Sequence, residues 1–182
     1  MTPQPPPGFV IWFTGLPASG KTTLARSTQK LLAEGGVHAV LVDSDDWRPI
    51  LTPRPEYTEA ERDWFYSVIA YLAVWLANNG MNVMVAATAN RHLYRDQARQ
   101  QIERFAEVYV DCPLAVCRQR DPKGIYTLAQ AGKADSVPGV GTAYEAPLAP
   151  EAVVDTSNNT PADAAESVLR QLQSVTSLWP AS

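Results

Sequence analysis

The chain has 182 residues, 46% hydrophobic and 19% charged, a globular composition that suits one domain and excludes a disordered chain. The formal net charge of −4 excludes a general attraction to nucleic acid or to an anionic membrane, and no apolar run reaches the ~20 residues that span a bilayer. Two cysteines, Cys112 and Cys117, fit neither a disulfide framework nor a zinc pattern, so we expect a cytoplasmic single domain over residues 1–182 with a disordered lead-in over residues 1–7.

Apolar runs alternate with helical patterns along the chain. Strands buried in a sheet are predicted at residues 9–13, 39–42, 83–87, 106–110 and 152–155. Helices are predicted from Thr22 to Gly35, from a capping box at Thr58 and Glu61 to Gly80, after the third strand to Ile102, over residues 113–120 and over residues 165–172. This alternation favours a parallel sheet covered on both faces, with ligands at the carboxyl ends of the strands.

Residues 121–147 differ from the rest of the chain because they are rich in glycine and proline and have little periodicity. Long loops inside compact domains are often lids, so we predict a lid loop here. Elsewhere, Trp12, Trp64 and Trp75 are expected in the core, together with the two cysteines.

The first predicted strand leads into a phosphate-binding loop. The segment from Gly15 to Thr22 fits the pattern G-x-x-x-x-G-K-[ST] and precedes a predicted helix. Its backbone N–H groups and the helix N-terminus suit phosphate oxygens, Lys21 reaches the β- and γ-phosphates, and the Thr22 hydroxyl suits Mg²⁺. The predicted nucleotide-binding residues are Gly15, Leu16, Pro17, Ala18, Ser19, Gly20, Lys21, Thr22 and Thr23. The fold class is therefore α/β, a three-layer P-loop NTPase fold with a five-stranded, mainly parallel sheet.

Three carboxylates follow the second strand at Asp43, Asp45 and Asp46. One interpretation is a solvated loop with a helix cap. In the other, one carboxylate faces the γ-phosphate and orients the acceptor hydroxyl, because the proton leaves late in a loose phosphoryl-transfer transition state. The pattern alone leaves open which aspartate does so.

Basic residues follow the third strand and enter the lid. Arg91, Arg95 and Arg99 are spaced to share one helix face, and Arg91 lies nearest the strand end. Arg120 and Lys123 border the lid, where a cation that closes over the transferring phosphoryl group is expected.

The chain resembles the adenylylsulfate (APS) kinase family from Trp12 to about Asp155. The motifs that carry the resemblance are W-F-T-G-L before the phosphate loop, the D-x-D-x-x-R run from Asp43 to Arg48, E-V-Y-V-D-C-P-L from Glu107, R-D-P-K-G-I-Y from Arg120 and Y-E-A-P from Tyr144. It implies a P-loop kinase that uses ATP and Mg²⁺ and phosphorylates the 3′-hydroxyl of APS in sulfate assimilation, and it admits a homodimer.

The resemblance also implies roles for single residues. Asp45 would be the base, and Lys21 and Lys123 would act on the ATP phosphates, with Arg120 at the ATP base. The predicted acceptor-binding residues are Asp43, Asp45, Arg48, Tyr57, Arg62 and Arg91.

Departures from the family pattern fall mostly in the acceptor pocket. Phe65 and Ser67 stand where the family has an asparagine and an arginine, and Asp135 and Val137 replace a lysine and a stacking phenylalanine. The residues after the third strand, Thr88–Asn90, also differ. The alternative function is therefore the same chemistry on a different nucleotide-like or small alcohol acceptor. A regulatory nucleotide-binding module without turnover is the third interpretation, against which the retained Lys21, Thr22, Asp45 and Lys123 argue.

Overall fold

The computed structural model describes residues 5–175 and residue 178. The strands are β1 (Val10–Thr14), β2 (Val40–Asp43), β3 (Val83–Ala86), β4 (Phe105–Asp111) and β5 (Ala152–Asp155). The helices are α1 (Lys21–Glu34), α2 (Ser44–Leu51), α3 (Glu59–Asn78), α4 (His92–Arg99), α5 (Leu114–Arg120), α6 (Ile125–Gln130) and α7 (Pro161–Val175).

The five strands form one sheet in the order β2-β3-β1-β4-β5, and every pairing is parallel. The predicted fold class is confirmed. β1 lies at the centre and all five of its residues are buried. The prediction that the second strand is buried holds only for its end, because β2 is an edge strand that leaves Val40 45% exposed.

Two apolar clusters cover the two faces of the sheet, as the alternation of side chains along β1 requires. Ile11 and Phe13 pack in the cluster that contains residues of α1 and α7. Trp12 points the other way, into the cluster formed with α3 and α4. The result is the three-layer arrangement expected of a parallel sheet.

Three expectations require correction. No helix was predicted over residues 44–51, where Asp43 caps α2, and the predicted lid over residues 121–147 is not a plain loop because it contains α6. Trp64 and Trp75 are not core residues, since they are 57% and 52% exposed, whereas Trp12 and both cysteines are buried as expected.

The predicted N-terminal lead-in falls partly on residues 1–4, which lie outside the described residues. Within the described part, the carbonyl of Pro7 accepts a hydrogen bond from Arg104 at 3.2 Å, and the backbone N–H of Gly8 donates to Ala77 at 2.8 Å. No helix among the described residues has both the length and the apolar character needed to cross a bilayer.

A buried ion-pair network ties β4 to α4 and to the segment before β5. Arg95, 1% exposed in its side chain, lies 2.5 Å from the carboxylate of Glu107, which also pairs with Arg99. Arg99 in turn pairs with Glu151 at 2.6 Å. The guanidinium of Arg95 also donates to the carbonyls of Ala89 and Glu145, so it fixes the loop after β3 and the end of the lid.

We expect Glu107→Ala to lower the free energy of unfolding by about 3–5 kcal/mol, because it leaves the buried Arg95 charge without its partner. Urea denaturation measures the change. Glu34→Ala is the matched control, since it removes an exposed ion pair with Lys30 and should change stability by less than ~1 kcal/mol. Equal effects of the two substitutions would contradict a structural role for the network.

Candidate functional site

The phosphate loop lies at the carboxyl end of β1, between the strand and α1. Ala18 and Gly20 both have positive φ, 60° and 92°, and this local curl turns successive N–H groups toward one point. Gly15 is required by close approach, because a Cβ there would lie 2.5 Å from the carbonyl oxygen of Val110 in β4. The loop is thus built for a polyanion next to the N-terminus of α1.

The side chain of Lys21 is folded back across this loop. Its ammonium donates to the carbonyls of Leu16 at 2.7 Å and Gly15 at 3.1 Å. Burial lowers the pKa of Lys21 to about 8, an effect that the nearby carboxylates of Asp45 and Asp43 partly offset. Bound phosphates would add negative charge beside this half-buried cation.

The lowered pKa predicts how nucleotide binding depends on pH. Phosphate oxygens favour the protonated form of Lys21, so ATP binding above pH 8 must take up a proton. We expect the Kd for AMPPNP, a non-hydrolysed ATP analogue, to rise roughly tenfold per pH unit above about pH 8 and to be nearly flat below it. Isothermal titration calorimetry measures this, and Lys21→Arg, whose charge does not titrate, should remove the dependence. The same slope in both proteins would contradict the assignment.

Arg120 and Thr156 border the other side of the loop. The Thr156 hydroxyl donates to the carbonyl of Ser19 at 2.6 Å, and Arg120 donates to the carbonyl of Thr156 at 2.5 Å. Both side chains approach Gly20. Sequence reasoning found Arg120 and missed Thr156, although Thr156 directly follows β5 and so had to lie at the ligand-binding edge of the sheet.

The acidic segment is organised by the start of α2. Asp43 is the N-cap, and its carboxylate accepts a hydrogen bond from the backbone N–H of Asp45 at 2.9 Å. The Asp45 carboxylate forms an ion pair with Lys123 of the lid at 2.5 Å, and both side chains are more than half exposed. Asp43 is buried. The structure therefore brings together Lys21, Asp45 and Lys123, which the sequence places far apart.

Arg48, Tyr57 and Phe65 form a second group beside α2. The Arg48 guanidinium lies 3.3 Å from the centroid of the Phe65 ring and 5.4 Å from that of Tyr57, and it pairs with Glu61 at 3.4 Å. Burial lowers the pKa of Arg48.

Tyr57 has a φ of +56°, a left-handed conformation that costs of the order of 1 kcal/mol for a residue with a Cβ. The backbone N–H groups of Glu56 and Tyr57 both donate to the carboxylate of Glu61, at 2.6 Å and 3.3 Å, and thereby stabilise the turn. The Tyr57 ring remains 41% exposed, so it offers a stacking face. Glu61 was predicted only as a capping residue. The Thr58 cap on its N–H is present, but its carboxylate also holds Arg48 and Tyr57.

Residues 121–147, the predicted lid, contact the phosphate loop. The Tyr126 hydroxyl donates to the carbonyl of Pro17 at 3.0 Å. Arg62, 6% exposed, donates to the carbonyl of Ser136 at 2.5 Å and to that of Tyr57 at 3.1 Å. Arg62 therefore joins the lid to the turn that presents the Tyr57 ring.

The remaining predicted residues occupy distinct places. Arg91 pairs with Glu59 and Asp63 at the start of α3, at 2.6 Å and 3.4 Å. Val137 is buried against both cysteines and Tyr126, and Asp135 is exposed. Thr22 begins α1 beside Lys21.

These residues offer oxygen donors suited to Mg²⁺. The Thr22 hydroxyl is at the phosphate end of α1, and the Asp43 and Asp45 carboxylates are near enough to act on the charge of Lys21. Hydroxyl and carboxylate oxygens are hard ligands that Mg²⁺ accepts alongside water and phosphate. Among the described residues, no three histidine, cysteine or acidic side chains are grouped so that they could hold a metal ion by themselves.

The chain is similar to known proteins of one family. The model of the family described as adenylylsulphate kinase matches residues 7–155. The chain is 41% identical over 151 residues to a probable adenylyl-sulfate kinase of Archaeoglobus fulgidus, and the match covers 83% of this chain and 97% of that protein. It is 37% identical over 166 residues to a probable bifunctional SAT/APS kinase 2 of Sorangium cellulosum, but spans 29% of that protein's length and 91% of its own.

A solved structure gives the same result in three dimensions. The APS kinase CysC of Mycobacterium tuberculosis, in complex with AMPPNP and APS, superposes with a TM-score of 0.84 at 32% identity. The superposition covers 93% of this chain and 99% of that one. The similarity in fold thus covers nearly the whole chain.

Proposed function

Because this chain belongs to the adenylylsulphate kinase family, we propose that it transfers the γ-phosphate of ATP to the 3′-hydroxyl of adenylyl sulfate, giving ADP and 3′-phosphoadenylyl sulfate. The observation that carries the proposal is the ion pair between Asp45 and Lys123, 2.5 Å apart and beside Lys21. This pair supports the proposal because it brings a carboxylate and a cation together beside the lysine of the phosphate loop.

The chemistry divides among three groups of residues. The loop from Gly15 to Thr22 holds the nucleotide, and Lys21 leaves its carbonyl partners for the β- and γ-phosphates. Asp45 accepts a hydrogen bond from the acceptor hydroxyl and takes its proton as the new oxygen–phosphorus bond forms and the γ-phosphate separates from ADP. Before transfer, Lys123 moves from Asp45 to the γ-phosphate, which frees the Asp45 carboxylate and lets the cation stabilise the negative charge of the transferring group.

Mg²⁺ would be held by the Thr22 hydroxyl and, when bound, would neutralise phosphate charge during transfer. Arg120 would contact the nucleotide base beside Gly20. Arg48, Arg62 and Tyr57 would bind the acceptor, since the two guanidinium groups lie 5.4 Å and 5.5 Å from the Tyr57 ring and Arg48 lies on the same helix as Asp45. Arg91 was predicted to bind the acceptor, but its guanidinium pairs with two carboxylates. In this proposal it lies at the edge of the acceptor site.

The proposal includes one kinase domain over the whole chain, with residues 121–147 as its lid and a homodimer as its assembly. Support for the lid comes from its contacts, since Tyr126, Ser136 and Lys123 join it to the phosphate loop, to Arg62 and to Asp45. Tyr126 and Val137 are buried in an apolar cluster with both cysteines, but Lys123 and Lys133 are exposed, so local opening around these two lysines should cost little.

We expect tryptic cleavage after Lys123 and Lys133 to slow at least ~10-fold when AMPPNP and Mg²⁺ are bound, because nucleotide orders the lid. Mass spectrometry of timed digests measures the two cuts. Lys21→Ala at the same nucleotide concentration is the control and should show no protection. Equal cleavage with and without nucleotide would count against lid closure.

An ATP consumption assay with and without adenylyl sulfate tests the function. The proposal requires ADP release that depends on adenylyl sulfate and is stoichiometric with the phosphorylated product. ATP use that adenylyl sulfate does not stimulate, but another alcohol or nucleotide does, would replace the acceptor. Nucleotide binding without turnover on any acceptor would contradict an enzymatic function and favour a regulatory nucleotide-binding module.

A further inference from the structure

Thr156 lies directly after β5, and its side chain joins that strand to the phosphate loop. The Thr156 hydroxyl donates a hydrogen bond to the backbone carbonyl of Ser19 at 2.6 Å. Ser19 is fully buried, so bulk water cannot replace this donor. Among the residues that the structure describes, no other side chain and no backbone N–H donates to the Ser19 carbonyl. The hydroxyl of Thr156 therefore holds this carbonyl in place.

The direction of the Ser19 carbonyl determines where the next backbone N–H points. In a trans peptide unit the C=O and N–H bonds lie on opposite sides, so a Ser19 carbonyl directed at Thr156 turns the N–H of Gly20 away from Thr156. Within the described part of the chain, this N–H has no protein acceptor. Gly20 is the N-cap of α1, one residue before Lys21, so its N–H is suited to a phosphate oxygen.

The peptide unit between Ser19 and Gly20 needs such a contact to select one orientation. A flip of this unit would change the sign of the Gly20 φ, which is 92° here. Glycine adopts positive and negative φ about equally well, so the backbone at Gly20 does not itself prevent the flip. The flipped unit would direct the Ser19 carbonyl oxygen, instead of an N–H, toward a bound anion.

The backbone of Thr156 is held independently of its hydroxyl. The N–H of Thr156 donates to the carbonyl of Asp111 at 3.1 Å, and the carbonyl of Thr156 accepts from the Arg120 guanidinium at 2.5 Å. Both contacts use backbone atoms of Thr156, so Thr156→Val keeps them along with the shape of the side chain. The substitution therefore isolates the hydrogen bond to Ser19.

We propose that Thr156 is a positioning residue for ATP, because its hydroxyl orients the Ser19–Gly20 peptide unit so that the Gly20 N–H binds a phosphate oxygen. Thr156 acts through the loop, and the inference rests on the ATP binding of the proposed function, not on its acceptor. A contact to a phosphate that is held equally before and during transfer lowers KM without raising kcat. Loss of the hydroxyl should therefore raise KM for ATP and leave kcat nearly unchanged.

Isothermal titration calorimetry with AMPPNP and Mg²⁺, together with initial rates, tests the proposal. Thr156→Val should raise the Kd for AMPPNP roughly 10-fold, because it leaves a buried carbonyl without a donor. The kcat at saturating substrates should stay within about threefold of the wild type. Thr156→Ser, which keeps the hydroxyl, should restore the wild-type Kd. Thr160→Val is the matched control, since its exposed hydroxyl donates to Asp163 at 2.6 Å, and it should leave the Kd unchanged.

A measurement on the wild-type chain keeps the test valid if Thr156→Val folds poorly. In nitrogen-15 NMR spectra, the amide proton of Gly20 should move downfield when AMPPNP binds, because it gains a hydrogen bond to a phosphate oxygen. A Gly20 resonance that does not respond, an unchanged Kd in Thr156→Val, or a Thr156→Ser protein as weak as Thr156→Val would overturn the inference.

The outcomes separate this inference from the proposed function. AMPPNP binding that depends on the Thr156 hydroxyl, in a chain that does not phosphorylate adenylyl sulfate, would overturn the proposed function alone. Phosphorylation of adenylyl sulfate with the same KM for ATP in the wild type and in Thr156→Val would overturn this inference alone. A chain that does not bind AMPPNP would overturn both.

Discussion

Lys21→Ala is expected to lower kcat/KM for ATP at least ~100-fold, because it removes the cation proposed to act on the transferring phosphoryl group. The structure supports a large effect, since the half-buried ammonium already lies within the phosphate loop, on the carbonyls of Leu16 and Gly15. Initial rates at sub-saturating ATP measure it.

Lys30→Ala is the matched control for this substitution. Lys30 lies on the same helix, α1, but its side chain is 79% exposed and pairs with Glu34. The control should leave turnover unchanged and alter stability by less than ~1 kcal/mol. A wild-type value of kcat/KM for ATP in Lys21→Ala would contradict the proposed role of the phosphate loop in catalysis.

Asp45→Asn is expected to lower kcat by about 10²–10⁴-fold, the usual contribution of a positioned acid or base. ATP affinity should stay nearly unchanged or improve slightly, because ATP is held by the phosphate loop and the substitution frees Lys123 from its ion pair with Asp45. Steady-state kinetics with saturating acceptor, together with calorimetry for AMPPNP, separate the two effects.

Asp46→Asn provides the comparison, since Asp46 is the next residue of α2 and is also exposed. It should behave like the wild type. If Asp45→Asn instead loses ATP binding and retains kcat, Asp45 belongs to the metal shell, and the assignment of the acceptor-orienting carboxylate fails.

Much of the fold follows from local patterns. The sequence predicts β1 from its continuous apolar run and α1 from its helical spacing. The glycines and lysine between them predict the phosphate loop. The chain order of strands and helices then predicts a parallel sheet, and the resemblance to the adenylylsulphate kinase family is confirmed by the match over residues 7–155.

The elements that were missed are short and depend on side-chain caps. Helix α2 contains Pro49 and is started by the Asp43 carboxylate, and α6 is held by Asp121, which accepts from the backbone N–H groups of Tyr126 and Thr127. Pro49 within α2 and the glycine next to α6, Gly124, are residues that normally indicate turns, so neither segment was predicted as a helix.

The exposure of Trp64 and Trp75 shows a different limit of sequence reasoning. Periodicity identifies the faces of an amphipathic helix by contrast, and α3 has no charged residue between Trp64 and Asn78 to mark its solvent side. In the same way, the contact between Asp45 and Lys123 joins residues 78 positions apart, and only the docked lid brings them together. The sequence therefore predicts that polar residues gather at the carboxyl edge of the sheet, but it does not predict which of them form ion pairs there.

The most direct test of the central claim is kcat/KM for adenylyl sulfate at saturating ATP, with the 3′-phosphorylated product identified. We expect a kcat/KM of ~10⁵ M⁻¹s⁻¹ or above, in the ordinary range of good enzymes. A value several decades lower, with intact AMPPNP binding, would contradict adenylyl sulfate as the acceptor and assign the changes at Phe65, Ser67, Asp135 and Val137 to a different ligand.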